Sequence, residues 1–313
     1  MKNFKNYSFY AWFFLCFNIL VILGGAYVRA SHSGEGCGKH WPLCHGVLFP
    51  DFKIFQTLVE YSHRISSGFV FLGTLLLFIW AVRLTERGHP IRLISGIAFL
   101  FVIFEALLGA GLVLWGFVGK NASFGRILLM PLHLLSTFAL LASLALAAAW
   151  SSGFRIFQIK ALLKMPVRLF FLIFGLLLVG MSGALTALSD TLFKPDFVGE
   201  NLFIDFVQAD HFLKALRAYH PLVAIFVTLF ALHVIWKFTH VHSSSRRKKL
   251  AFFITIFFIV QMICGFFNIV LLVPVEMQIL HLFFANIIWV FCILFCSEVL
   301  SEEQPFEKSL RCG

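Results

Sequence analysis

The sequence predicts an all-α, polytopic membrane protein with eight transmembrane helices arranged as two parallel-repeat four-helix bundles. Three observations predict it. The 313 residues are 60% apolar and only 13% charged, with 41 Phe, whereas a soluble domain carries about a quarter charged residues. Stretches near the length of about twenty residues needed to cross a bilayer recur along the whole chain. The second set of these stretches also echoes the first.

The spans fall at roughly 9–29, 61–82, 93–115, 127–149, 168–188, 216–237, 250–272 and 278–297. The loops between them are short and leave no room for a large soluble domain, so lipid is the solvent of most of the surface. Sixteen of the 25 Lys and Arg fall at the N-terminus, in the loops after spans two, four and six, or in the C-terminal tail. The positive-inside rule puts that face, and both termini, in the cytoplasm. The net charge of +10 comes largely from these anchors and does not point to nucleic acid. The first span has no small-residue cleavage pattern and no Arg/Ser-rich transit peptide before it, as expected of an uncleaved signal anchor in a bacterial inner membrane.

Two segments, 1–150 and 151–313, align with each other. "VILGGAYVRAS" in span one matches "LVGMSGALTALS" in span five. Glu105 with Gly109 four residues on matches Gln261 with Gly265. His63 matches His220 and His133 matches His281. Four spans separate each element from its copy, so both copies run the same way, about an axis along the membrane normal.

His63, His133, His220 and His281 each lie within the first seven residues of an even-numbered span, entered from the outer face. That depth is at most roughly 10 Å at 1.5 Å per residue. Polar groups in the bilayer are costly and mark sites. Two imidazoles on facing helices of a four-helix bundle suit axial ligation of a haem iron. A zinc site would want more ligands, with Cys or carboxylate among them. The remaining histidines read as loop or cytoplasmic residues. His233 reads as a helix-end residue, because span two offers Leu76 and Leu77 at the corresponding depth.

Glu60 precedes His63 by three residues and shares its helix face, while Arg217 stands at that offset before His220. The halves agree in scaffold and differ here in charge, as expected if both bind a similar ligand and one does chemistry. A carboxylate there can accept a proton or stabilise a developing cation; an arginine can pair with a haem propionate. The alternative for Glu60 is a surface pair with Arg64, worth a few tenths of a kcal/mol. In the first outer loop, "SHSGEGCGKHWPLCHG", Cys37 and Cys44 face a compartment that permits disulfides. A bridge there is either a structural staple over the site or a redox-active pair.

With these residues in hand, the chain resembles the haem A synthase family. The resemblance rests on "GCGKHWPLCHG", "EYSHR", "MPLHLLSTFALL", "RAYHPLVA" and "QILHLFFANIIWV", in that order across nearly the whole chain. It implies an oxidoreductase that converts the C8 methyl of haem O to a formyl group, giving haem A for terminal oxidases. It further implies substrate haem O on His63 and His133 in 1–150, a haem b cofactor on His220 and His281 in 151–313, chemistry at Glu60, and a role for Cys37 and Cys44. A haem O-producing farnesyltransferase and an unidentified electron-transfer protein are the partners it suggests. One departure is the loop after span five, which lacks the second cysteine pair of some members and is rich in Asp, Glu and Phe; it is expected to pack over the second haem. The competing readings are a di-histidine cytochrome b exchanging electrons with quinone, and a haem carrier.

Overall fold

A computed structural model describes residues 2–198, 208, 209, 211–240 and 244–303. Among them are eight helices long and apolar enough to cross a membrane, and no strand of a sheet. In chain order they are α1 (Lys2–Ala30), α2 (Phe55–Leu84), α3 (Pro90–Leu114), α4 (Phe124–Ser151), α5 (Val167–Leu192), α6 (Phe212–His240), α7 (Ser245–Val270) and α8 (Val275–Glu303). The protein is a multi-pass membrane protein. Most of the acidic loop after α5, His242, and the tail with Lys308, Arg311 and Cys312 lie outside the described residues.

The helices outrun the apolar stretches that predict them. α2 starts at Phe55 because its first turn, Phe55–Glu60, is amphipathic and escapes a hydropathy count. The four histidines are consequently the ninth, tenth, ninth and seventh residues of their helices, deeper than the sequence spans place them. Local chemistry sets several starts. His89 accepts from the Ile91 N–H with Pro90 at the first helical position, and Ser244 accepts from the Arg247 N–H. Pro131 and Pro221 sit within helices beside His133 and His220, where each removes one backbone hydrogen bond.

α1 to α4 close a ring, each packed on the next and α4 on α1. In the second set, α5 packs on α6 and α7 on α8, with lighter contact between those two pairs. The sets meet where α4 lies against α5 and α8, and where α1 touches α8. At one end, which holds the α4–α5 turn, this seam is dry and tight. Leu141, Leu144, Ala145, Ala148 and Ala149 of α4 are fully buried in one core with Cys292, Phe295 and Val299 of α8. Small residues let helix backbones approach, the main source of helix association in lipid. Trp150 Nε1 donates to Ser297 Oγ (3.2 Å) and Arg247 pairs with Glu302 (2.8 Å) across the same end. The opposite end, with the loop from 31 to 54, is open and carries the histidines.

The α1–α2 contact turns on one missing side chain. The Phe14 ring lies over Gly73, where a built Cβ would come 1.7 Å from ring carbons, and Tyr10 OH donates to the Gly73 carbonyl at 3.1 Å. Gly73→Ala is expected to destabilise the protein by about 1–3 kcal/mol through overpacking, read as a lower thermal midpoint in detergent. Phe14→Leu on that background should restore part of the loss.

Candidate functional site

One cavity of about 1250 Å³ occupies the open end, lined by all four histidines and by Glu60, Glu105, Gln261 and Arg217. Most single-ligand pockets hold roughly 300–1,000 Å³, so this volume exceeds the need of one small molecule. Its walls are predominantly apolar, from residues such as Val102, Phe138, Leu176, Val227, Phe258 and Trp289. His63 and His133 come from α2 and α4, and His220 and His281 from α6 and α8. The structure thus brings together the four histidines, Glu60 and Arg217. His233 lies elsewhere, beside Trp236 at 6.3 Å between ring centres.

Glycines give the imidazoles room. A Cβ at Gly25 of α1 would lie 2.8 Å from His63 Cε1, one at Gly183 of α5 3.1 Å from His220 Cε1, and one at Gly265 of α7 3.2 Å from His281 Cε1. Gly109 of α3 has open space instead, and the neighbour of His133 is Glu105, with Oε2 3.0 Å from Nδ1. The other polar partners differ too. Ser182 Oγ is 2.9 Å from His220 Nδ1, and Gln261 Nε2 is 3.0 Å from His281 Nε2. His63 Nδ1, His133 Nδ1 and His281 Nδ1 are buried with no formed hydrogen bond among the described residues.

Glu60 is 3% exposed and held from two sides. Its Oε2 accepts the Cys37 N–H at 2.8 Å, and its Oε1 accepts from Arg64. The pairing with Arg64 that the sequence offers as a surface contact is therefore present, but buried. Arg64 also donates to the carbonyls of His40 and Leu43 (2.6 Å for Leu43), tying the loop to α2. Cys37 and Cys44 are joined by a disulfide and both fully buried. Thr57 Oγ1 donates to the Gly36 carbonyl at 2.6 Å, and Tyr61 OH donates to the Leu48 carbonyl. The loop thus closes over Glu60 as one hydrogen-bonded piece.

Arg217, also 3% exposed, pairs with Asp190 of α5 (3.3 Å) and donates to the Phe193 carbonyl (2.7 Å). Three further residues that the sequence did not single out as site residues line the cavity. Arg29 of α1 donates to Thr191 Oγ1, to the Ala187 carbonyl and, at 3.2 Å, to Gln278 Oε1 of α8. Arg126 donates to the carbonyls of Gly119 (2.6 Å) and Asn121 (2.8 Å). Glu105 is the third; a carboxylate in the middle of "FLFVIFEALLGAG" is itself the signal, but the sequence used it only as a repeat marker. The cavity therefore has an apolar body and a rim of guanidinium groups, an arrangement suited to a large flat ligand with acidic substituents.

Comparison with known proteins gives the following. A family model described as COX15-CtaA, cytochrome oxidase assembly protein, matches residues 8–293. A Thermus thermophilus protein named protoheme IX farnesyltransferase is 41% identical over 291 residues, covering 93% of this chain and 48% of that protein. Proteins named heme A synthase match shorter stretches: one from Halalkalibacterium halodurans is 43% identical over 98 residues, 31% of this chain and 33% of its own length. One from an Exiguobacterium species is 36% identical over 111 residues, 36% of this chain and 37% of its own. The chain spans about half the length, or less, of these curated relatives.

The loop's seat on α2 requires Gly36, because a Cβ there would lie 2.3 Å from the Gln56 carbonyl oxygen. Gly36→Ala is expected to lift the loop from α2. Limited proteolysis of the folded protein should then cut within 37–48, where the native chain resists.

Proposed function

The chain belongs to the COX15-CtaA family of cytochrome oxidase assembly proteins, and from that membership we propose that it is a haem A synthase, oxidising the C8 methyl group of haem O to a formyl group. The observation that carries this reading is the contrast within one cavity: two histidine pairs in matched positions, with a clamped Glu60 beside one and Arg217 beside the other.

Residues 1–150 hold the substrate haem O between His63 and His133, and residues 151–313 hold haem b between His220 and His281. The residues present suit such a group. The imidazoles come in pairs from separate helices, the walls between them are apolar, three glycines clear space against the rings, and three ring nitrogens are buried with no formed hydrogen bond among the described residues. Haem b, when bound, supplies one-electron redox chemistry, its potential set by the ligands and by burial.

The chain's own residues do the rest. Two successive two-electron oxidations of the methyl, the electrons leaving to the external electron-transfer partner and each step adding one hydroxyl group, give an alcohol and then a geminal diol, which loses water to the aldehyde. Glu60 already accepts one hydrogen bond on each carboxylate oxygen, and a carboxylate has about four lone-pair sites. A lone pair on each oxygen remains for a proton from the alcohol or the diol. The Cys37 N–H and Arg64 hold that carboxylate in place. The loop that carries Cys37 covers this region and limits water. Arg217 and Arg126 lie where acidic substituents of a haem would be met by guanidinium groups. The open end faces outward from a bacterial inner membrane, with the termini in the cytoplasm, in keeping with the charge distribution. A farnesyltransferase that makes haem O is the natural supplier, in keeping with the name and double length of the Thermus thermophilus relative.

The test is expression in a bacterium that makes haem O but not haem A, followed by haem extraction and chromatography with mass detection. Haem A or its alcohol precursor is the expected product. Haem b with untouched haem O, from a folded protein, would move the assignment to an electron-transfer cytochrome or a haem carrier. Glu60→Gln is expected to lower haem A formation by about 100-fold or more, while leaving bound haem in place. Haem A at the native rate from that variant would remove Glu60 from the chemistry.

A further inference from the structure

The two histidines on α4 and α8 occupy matched positions, yet their neighbours differ in charge and in the ring atom they meet. Glu105 on α3 approaches His133 at Nδ1, at 3.0 Å. Gln261 on α7, four residues before Gly265 as Glu105 is before Gly109, approaches His281 at Nε2, also at 3.0 Å. Glu105 is itself held: Thr137 Oγ1, one turn beyond His133 on α4, donates to the same Oε2 at 3.0 Å. The Glu105–His133 contact is close but off the line of a formed hydrogen bond, and both His133 Nδ1 and Glu105 Oε1 are buried with no hydrogen bond among the described residues. A carboxyl group in mid-span is costly unless it meets a partner, and among the described residues the ring it contacts is that of His133.

We propose that Glu105 is the positioning residue for His133: it takes the Nδ1–H, fixes the tautomer and ring angle, and leaves Nε2 as the nitrogen offered to the iron of the haem in the first half. The hydrogen bond on one imidazole nitrogen sets which nitrogen ligates and raises the basicity of the ligand. Gln261 meets His281 at the other ring nitrogen, Nε2, and as a neutral amide it does not raise the basicity of that ring as a carboxylate does. The two haem sites are thereby differentiated through their second neighbours, with the stronger donor ligand on the side of Glu60. This inference rests on the reading of His133 as a haem ligand.

The experiment titrates iron protoporphyrin IX into the solubilised full chain and records affinity and the low-spin ferric EPR g-values. Native protein is compared with His133→Ala, Glu105→Gln and Gln261→Glu. His133→Ala identifies the component belonging to the first half by abolishing it. Glu105→Gln is expected to weaken that same component by about 10-fold or more and to shift its largest g-value, with the second component unchanged. Gln261→Glu should leave the first component as it is. If Glu105→Gln leaves the first component's affinity and g-values as in the native protein, while His133→Ala abolishes it, the positioning role is overturned and the ligand assignment stands. If His133→Ala leaves both components intact, the ligand assignment fails and takes the inference with it. The second component doubles as a folding check. Should Glu105→Gln lose it, Thr137→Val removes only the hydroxyl that steadies Oε2. A shift of the first component's g-value in that variant supports the role, and no shift overturns it.

Discussion

Along the seam of α4 and α8, small and medium side chains bring two helices into contact over several turns, with Ala145, Ala148 and Cys292 fully buried. Lipid tails are as apolar as leucine, so no hydrophobic force drives these helices together; close packing does. The seam is confined to one end of the molecule. Toward the other end the stacked Phe138 and Trp289 rings, 4.8 Å apart, close it off, and Trp289 Nε1 donates to the Phe138 carbonyl at 2.7 Å. Beyond that pair the helices part around the cavity. A bundle packed tightly throughout would have no site, and one open throughout would not hold its helices in register.

The polar groups of the open end show how a membrane bundle keeps charge inside. Arg64, Arg126, Arg29 and Arg217 all spend N–H groups on backbone carbonyls, and Arg64, Arg29 and Arg217 on side chains as well. Those carbonyls sit mainly at helix ends and in loops, where the backbone has acceptors to spare. Loops and guanidinium groups therefore satisfy each other around the cavity rim. The Cys37–Cys44 bridge adds to this rim and keeps the Cys37 N–H on Glu60.

Much of this was legible in the sequence, for a physical reason: in an apolar chain a polar residue stands out. Eight helices follow from hydropathy, and the four histidines and Glu60 from their expense in a bilayer. The helix starts were not legible, because an amphipathic turn such as Phe55–Glu60 looks like loop to a hydropathy count. Arg29 and Arg126 were not singled out, since nothing local distinguishes an arginine at a helix mouth from one that reaches into a cavity. The contact of Arg217 with Asp190 joins two helices across the loop after α5, a pairing no local pattern encodes. Glu105 carried its signal openly, but its meaning depends on the ring of His133, brought to it from the neighbouring helix.

Arg29 has a consequence for how the two sets of helices respond to each other. It stands one turn beyond Gly25, the residue against which His63 rests, and it holds Gln278, one turn before His281. A single side chain therefore joins the helix face behind one imidazole to the helix face that carries another. Through this hydrogen bond a shift of α8 that reseated His281 would bear on α1, and a shift of α1 on α8. Thermodynamic coupling of this kind is reciprocal: whatever factor filling one part of the cavity applies to affinity in the other, the reverse order of filling must apply as well. For any such coupling, the order of arrival is immaterial to the final balance.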